Sequence, residues 1–379
     1  MVTFTIGYCV LGRFLPFVDI FFIKAVLFMW TGVYVIKRFK RIPIVSIAVI
    51  CFFCVAIIIS CFDNSNCHLI QENVLNFNAF FYIFMIPLLF MVENNPEKRL
   101  QELYILSYVI VIFLVFVLVS SGMSREQYDY ISLGSSVLPY WAIIVQNAFI
   151  KRSKLSALVG MVSGVIICLF ASRGVGVSVV AILVFYICIY TSVKYKSFVV
   201  VGGVFVGILS SYFTSILIWI YEFFLSRGIT IRFIYMFLFR NQISAFNMSS
   251  GRNEIWQLAI EAIKRKPLTG YGIMGDRKPL SSYASGLYPH NIEIQILMQF
   301  GILLGAIIII LLIYVAFNVT KSRSDWKHLF IPYFYSSIFF LQFSSEYYLY
   351  VNFWISIMIF CAYMRDKRNR KYGHSINRS

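Results

Sequence analysis

Three side chains stand out as able to do chemistry: Arg173, Arg252 and His290. Arg173 is the single charged residue between Leu155 and Thr191. A guanidinium keeps its charge and grips oxyanions through a planar two-pronged fork, which suits a diphosphate. An ionisable residue at membrane depth is functional by default, yet Ser172-Arg173-Gly174 also reads as the tight turn of a helical hairpin at an interface. His290 follows Pro289 and is expected in the first turn of a helix, where the positive end of the helix dipole favours the neutral imidazole. A neutral imidazole there can accept a proton, and the plainer alternative is an interfacial anchor for the helix start. Of the other three histidines, only His68 falls on the same side of the chain's topology as His290.

Around these lie weaker candidates. Arg252 opens a segment predicted to be helical as far as Lys266, with Ser250 or Gly251 as its cap and Ile255, Leu258, Ala259, Ala262 and Ile263 on one apolar face. That face can lie on the membrane or on the helix bundle. Lys264, Arg265 and Lys266 form its last turn, where cations suit the dipole, and Pro267 ends it. The cluster is therefore explained by helix-end chemistry as readily as by anion binding. Gly270-Tyr271-Gly272 reads as a sharp turn whose backbone amides could approach a phosphate or sugar. Tyr271, Tyr283 and Tyr288 are candidates to stack on sugar rings, and Arg277 and Asn291 complete the substrate-binding set. No His, Asp or Glu pair has metal-ligand spacing, and no phosphate-binding loop is present. Chemistry on this segment therefore needs a pre-activated substrate and no cofactor.

The elements that must hold these residues are membrane helices. The chain has 379 residues, 60% of them hydrophobic and only 13% charged, where a soluble domain has about a quarter charged. Apolar runs of about 17 to 25 residues are long enough to cross a bilayer as helices. They fall near Asp19–Ile36, Ile42–Phe62, Phe77–Val92, Leu103–Ser120, Gly134–Ile150, Leu155–Ala171, Gly174–Thr191, Ser197–Ile220, Ile292–Thr320, Phe330–Ser344 and Tyr347–Tyr363. A short further span at Met1–Gly12 would bring the total from eleven to twelve. The expected fold is all-α, a polytopic membrane bundle with four regions. These are N-terminal membrane helices (1–220), a large loop with short helices (221–291), C-terminal membrane helices (292–364) and a basic tail (365–379).

Basic loops such as Lys37–Arg41, Lys151–Lys154 and Lys321–Arg323 alternate with poor ones at Asp63–Asn76, Gly122–Leu133 and Ser344–Tyr347. The positive-inside rule puts the basic loops and the tail in the cytoplasm, and the large loop outside. Tyr221–Asn291 carries nine basic against four acidic side chains. It is either a plain solvated loop or an electropositive surface for an anionic ligand. The net charge of +17 reports basic cytoplasmic loops, so nucleic acid is not expected as a partner. The eight cysteines lie mostly in apolar runs, where they act as small hydrophobes. Cys61 and Cys67 could pair as a disulfide if their face is oxidising.

Taken in order, Ser172-Arg173-Gly174 between two mid-chain spans, Arg252-x-x-x-Trp256, Pro267-Leu-x-Gly-x-Gly272, His290-Asn291 and the glycines at 301 and 305 resemble the O-antigen polymerase and O-antigen ligase superfamily. In size and span count the chain is most similar to a Wzy-type polysaccharide polymerase. The resemblance implies a GT-C-like, metal-independent glycosyltransferase in the bacterial inner membrane, its large loop in the periplasm. The donor would be an oligosaccharide on undecaprenyl pyrophosphate, the acceptor a sugar hydroxyl of another lipid-linked unit, with a chain-length regulator and a flippase as partners. Arg173 and Arg252 would clamp the pyrophosphate, and His290 would orient or deprotonate the hydroxyl. The residues between Gly272 and His290 match no pattern of the family, which leaves the sugar open. A ligase moving polymer onto lipid A core shares the same motifs. A transporter of lipid-linked sugars is less in keeping with the absence of an internal repeat, and a non-enzymatic scaffold would tolerate loss of all three residues.

Overall fold

The computed structural model describes residues 21–76, 80, 83–84, 86–123, 130–191, 218–219, 221–227, 238, 252–281 and 288–376. The expected spans at Met1–Gly12 and, almost entirely, at Ser197–Ile220 lie outside these, as do Ser250, Gly251 and Tyr283. Among the described residues the chain is all-α, without strands: α1 Phe21–Ile36, a 3-10 turn at Phe39–Arg41, α2 Ile44–Ser60, α3 Asn64–Asn73, α4 Ile86–Met91, α5 Pro96–Met123, α6 Tyr130–Lys151, α7 Lys154–Phe170, α8 Arg173–Tyr190, α9 Arg252–Arg265, α10 Arg277–Leu280, α11 Ile292–Thr320, α12 Trp326–Leu341 and α13 Val351–Ile376. Pro96–Val117, Ile131–Lys151 and Ile292–Thr320 are long and apolar enough to cross a membrane, and α1, α2, α7 and α8 hold shorter apolar helices.

Several elements differ from the sequence expectation. The poor loop at Asp63–Asn76 contains the polar helix α3, which the search for apolar runs passes over. The last helix starts at Val351, because residues 347–349 form a turn, and it continues through Arg365 to Ile376. Its basic stretch is thus an extension of a helix whose inner half, Phe353 to Tyr363, is buried.

The chain divides into two units. In residues 101–251, α6, α7 and α8 pack on one another. On α7, Gly164 leaves room for the buried Trp141 of α6 and Gly160, one turn earlier, for Val145, and the Trp141 indole N–H donates to the Gly160 carbonyl at 2.9 Å. Small residues at four-residue spacing allow this close approach of helices. Polar groups on the same helices are paired, with Asn147 donating to the Ser156 hydroxyl at 2.8 Å and Gln146 to the Tyr190 hydroxyl at 3.0 Å.

In the other unit, residues 1–100 and 252–379, α13 packs on α2, α4 and α12, while α9 packs on α11. Ile255, Ala259 and Ala262 of α9 meet Leu280 and Met298. The apolar face of α9 is therefore spent on the bundle. At the far end of α13, the Arg365 guanidinium donates to the carbonyls of Arg41 at 2.7 Å, Met91 at 3.1 Å and Glu93, capping chain ends that would otherwise keep unpaired carbonyls.

One break organises the unit. Gly301 interrupts α11 with φ 76° and ψ 175°. In an unbroken helix the carbonyls of Met298 and Gln299 would accept from the fourth residue on. Here they accept from the amides of Tyr271 and Gly272, both at 2.9 Å, and the Ile302 amide turns to the Pro267 carbonyl at 2.6 Å. The Pro267–Gly272 segment is thus stitched into the gap. The crossing is so tight that a Cβ on Gly270 would stand 2.4 Å from the Gln299 carbonyl oxygen, and one on Gly301 2.4 Å from that of Leu268. Both glycines also have positive φ, which other residues adopt only at a cost.

Candidate active site

The spacing of Arg252 and Trp256 explains itself in three dimensions. Residues four apart share one helix face. From that face of α9 the Trp256 indole N–H donates to the Pro289 carbonyl at 2.8 Å, tying down the residue before His290. One turn earlier, Arg252 lies close enough to bias the imidazole. Burial first, then the Arg252 charge, pushes the His290 pKa down to about 4. His290 is therefore neutral at ordinary pH. The expected outcome is met by a different cause, since His290 precedes the Asn291 cap and stands outside the helix, in the left-handed region at φ 53°. Low dielectric and a neighbouring cation supply what the helix dipole was expected to supply.

The imidazole is held on one side by Tyr288, with ring centroids 4.0 Å apart. The Tyr288 hydroxyl in turn accepts the Ser345 amide at 3.1 Å. Nδ1 of His290 is buried and has no hydrogen-bond partner among the described residues. Met274 and Ser345 share the left-handed backbone of His290. Strain of this kind persists where the surroundings over-determine it and concentrates at functional sites.

The same unit holds a buried polar layer. Asp276 is fully buried and accepts from Gln299 at 2.9 Å through one carboxylate oxygen and from Gln295 at 3.1 Å through the other. Burial, then the nearby Glu346 charge, raises the Asp276 pKa to about 6. Gln299 is locked in orientation because its carbonyl accepts from the Tyr347 hydroxyl at 2.7 Å. Next along the chain, Arg277 pairs with Glu346 at 2.8 Å, and the second Glu346 oxygen accepts from Tyr348. Asn291 caps α11 by accepting the Ile294 amide at 3.0 Å, while its own amide donates to Gln342 at 2.8 Å.

Comparison with known proteins places this geometry. Residues 157–310 match the family model described as O-antigen ligase. The matched span contains every motif of the superfamily resemblance, from Ser172-Arg173-Gly174 to Gly305, and the resemblance to the O-antigen polymerase and ligase superfamily holds. No curated protein and no solved structure matches the chain. The three helices long and apolar enough to cross a membrane fit a membrane protein, and over residues 157–310 the chain is similar to the O-antigen ligase family.

Within that frame the sequence candidates separate. Arg252 and His290 come together in one unit. Arg173 is the first residue of α8, with Ser172 as the N-cap that accepts the Val175 amide, and it belongs to the other unit. The hairpin turn expected there is present. Lys264 and Arg265 are exposed on α9, Arg265 lying 3.7 Å from Glu261 one turn back. Lys266 lies 4.7 Å over the Tyr271 ring, and the Tyr271 hydroxyl donates to the Ala262 carbonyl at 3.3 Å.

The amides of Gly270, Tyr271 and Gly272, expected to face a phosphate or sugar, donate to the carbonyls of Lys266, Met298 and Gln299. These glycines serve the crossing with α11. Arg277, expected to bind substrate, is instead occupied by Glu346. Sequence reading missed Tyr288 as the support of His290, Trp256 as its tether, and the whole Asp276 layer. Gln295 and Gln299, one turn apart at the start of an otherwise apolar helix, were the signal for that layer.

Proposed function

We propose that this chain polymerises lipid-linked oligosaccharide repeat units. It would transfer the growing glycan from undecaprenyl pyrophosphate to a sugar hydroxyl of a second lipid-linked unit, at the periplasmic face of the inner membrane. The observation that carries the reading is the Trp256 tether, which sets a neutral His290 beside the permanent cation Arg252 on one helix face. In the reaction the acceptor oxygen bonds to the anomeric carbon, and the bond to the pyrophosphate oxygen breaks with its electron pair. His290 takes the hydroxyl proton. Arg252 and Arg173 bind the pyrophosphate and stabilise the charge it gains on leaving. Diphosphate is already a good leaving group, so a base and cations meet the chemical demand without a metal or a cofactor. A flippase must supply the donor on that face, and a chain-length regulator is the expected companion.

The test is a deletion strain complemented with Arg173→Ala, Arg252→Ala or His290→Ala, followed by polysaccharide banding on gels. Each variant should lose the ladder and leave single repeats on the lipid core. Full ladders from all three at normal expression would overturn the assignment. The description of the matching family favours a second reading, transfer of finished polymer to lipid A core. It predicts instead that a deletion strain has no repeats attached to the core at all.

A further inference from the structure

The start of α11 and the end of α12 are joined by a chain of hydrogen bonds that can run in only one direction. The Asn291 side-chain carbonyl is spent on capping α11, where it accepts the Ile294 amide at 3.0 Å. Its amide N–H is left to reach α12, and it donates to the side-chain carbonyl of Gln342 at 2.8 Å. That turns the Gln342 amide N–H toward Glu293, to which it donates at 2.7 Å. An ionised carboxylate only accepts, so each member fixes the next. Glu293 belongs to the first turn of α11, and the chain closes on the helix where it began. A helix cap needs Asn291 alone. The bonds to Gln342 add a second effect, fastening the α11 start to the C-cap of α12.

Three residues beyond Gln342, Ser345 stands in the left-handed region at φ 66°, and its amide donates to the Tyr288 hydroxyl at 3.1 Å. The corner that ends α12 therefore grips both flanks of the Pro289-His290 pair, Tyr288 before it and Asn291 after it. Pro289 itself is held by Trp256. The backbone of His290, at φ 53°, is strained, and such strain persists only while the surroundings enforce it. We propose, resting on the reading of His290 as the acceptor of the hydroxyl proton, that Gln342 and Glu293 are positioning residues which hold His290 in place through Asn291. Neither has to touch substrate. Breaking their bond releases one of the three restraints around His290, and the imidazole then drifts from the place the other two assign to it.

The experiment exchanges the two partners. In Gln342→Glu a second carboxylate faces Glu293, and the bond between them is lost. In the double variant Gln342→Glu with Glu293→Gln, the carboxylate at 342 accepts from both Asn291 and the amide at 293, so the chain is rebuilt with its last bond reversed. Purified protein in detergent, at about pH 8 so that facing carboxylates stay ionised, is treated with diethyl pyrocarbonate, and each histidine is followed by mass spectrometry. His68, with a side chain 71% exposed, shows that the reagent is active. His328, half-buried like His290 and with an unpartnered Nδ1 of its own among the described residues, reports general loosening. Gln342→Glu should speed modification of His290 roughly tenfold, the scale of a lost bond between partly buried groups, while His328 stays as in the wild type. The double variant should return His290 to the wild-type rate. An unchanged His290 in Gln342→Glu, a double variant as reactive as the single one, or His328 rising together with His290 would each overturn the positioning role. Transfer by the same samples, with lipid-linked oligosaccharide extracted from the deletion strain as the probe, should show kcat falling in the single variant at unchanged KM and recovering in the double one. Labelling that follows this pattern beside transfer that ignores it would keep the positioning and remove His290 as the proton acceptor.

Discussion

Removing one partner of the Arg277–Glu346 pair should be far costlier than removing both. Their side chains are 17% and 5% exposed and the contact is 2.8 Å. At an effective dielectric of about 20 the gross attraction is on the order of 6 kcal/mol. Most of this offsets the cost of burying the two charges, so the pair adds little net stability over apolar residues. A single replacement is different. In Glu346→Gln the new side chain still offers Tyr348 an acceptor, but its amide faces Arg277 donor to donor, and the guanidinium is left buried with an uncompensated charge.

We expect each of Glu346→Gln and Arg277→Met to destabilise by about 3–5 kcal/mol. The double variant should cost less than either single one, so the two costs fall short of adding by at least the cost of one single variant. Denaturant titration of the purified protein in detergent, with all four members of the cycle, measures this. The transfer rate should follow, because Ser345, which adjoins Glu346, holds Tyr288 against His290. Single variants costing under about 1 kcal/mol, or costs that simply add, would refute the buried-pair account.

Further outcomes follow from the same geometry. Gly270→Ala should cost about 2–4 kcal/mol, combining left-handed strain with loss of the amide bonds to Met298 and Gln299, and thermal melting in detergent will show it. Trp256→Phe frees the Pro289 carbonyl and should lower the transfer rate roughly tenfold, since a buried orphan acceptor costs about 1–3 kcal/mol. Tyr288→Phe keeps the ring against His290 but loses the Ser345 bond and should lower kcat several-fold, whereas Tyr288→Leu, which removes the ring as well, should lower it further with little change in KM. Burial and Glu346 hold the Asp276 pKa at about 6, above its unfolded value of 3.8. The stability owed to its neutral form is therefore full below pH 3.8 and lost as pH rises through 6, about 3 kcal/mol in all. Asp276→Asn should remove that slope in unfolding measured between pH 4 and 7.

What was legible in the sequence was whatever acts locally. The i, i+4 spacing of Arg252 and Trp256 declares one face of a helix, Pro267 its end, and Ser172 the start of α8. The boundaries of α11 could be read from composition alone, since a long apolar run flanked by Asn291 and Lys321 has few other meanings. Of the Asp276 layer only the pair Gln295 and Gln299 showed in the sequence, and their partner did not, because a lone Asp in a loop and two Gln in a helix become a bonded cluster only when that loop folds back onto α11. Nor could the use of Gly270 and Gly301. Gly270 signalled a turn and Gly301 only a small residue within an apolar run, and a turn that admits a neighbouring backbone looks the same in sequence as one that admits a phosphate. Glu346 and Tyr288 are likewise ordinary residues until contacts across 69 and 57 positions join them to Arg277 and Ser345.

The break at Gly301 has a bearing on depth. By composition α11 is a single oily rod, yet only the part from Ile302 to Thr320 continues beyond the crossing. It rises roughly 28 Å at 1.5 Å per residue, close to the thickness of a bilayer's hydrocarbon core, about 30 Å. Its flank of Ile302, Leu303, Ile307, Ile310, Ile313 and Phe317 is bare, ready for acyl chains. The stretch before the break carries Gln295 and Gln299 and is buried in protein instead. Gly301 thus works as a waterline. Under the proposed function, the length of the rod beneath it would set how far above the hydrocarbon core His290 and Arg252 stand, the level at which the diphosphate of a lipid carrier is expected.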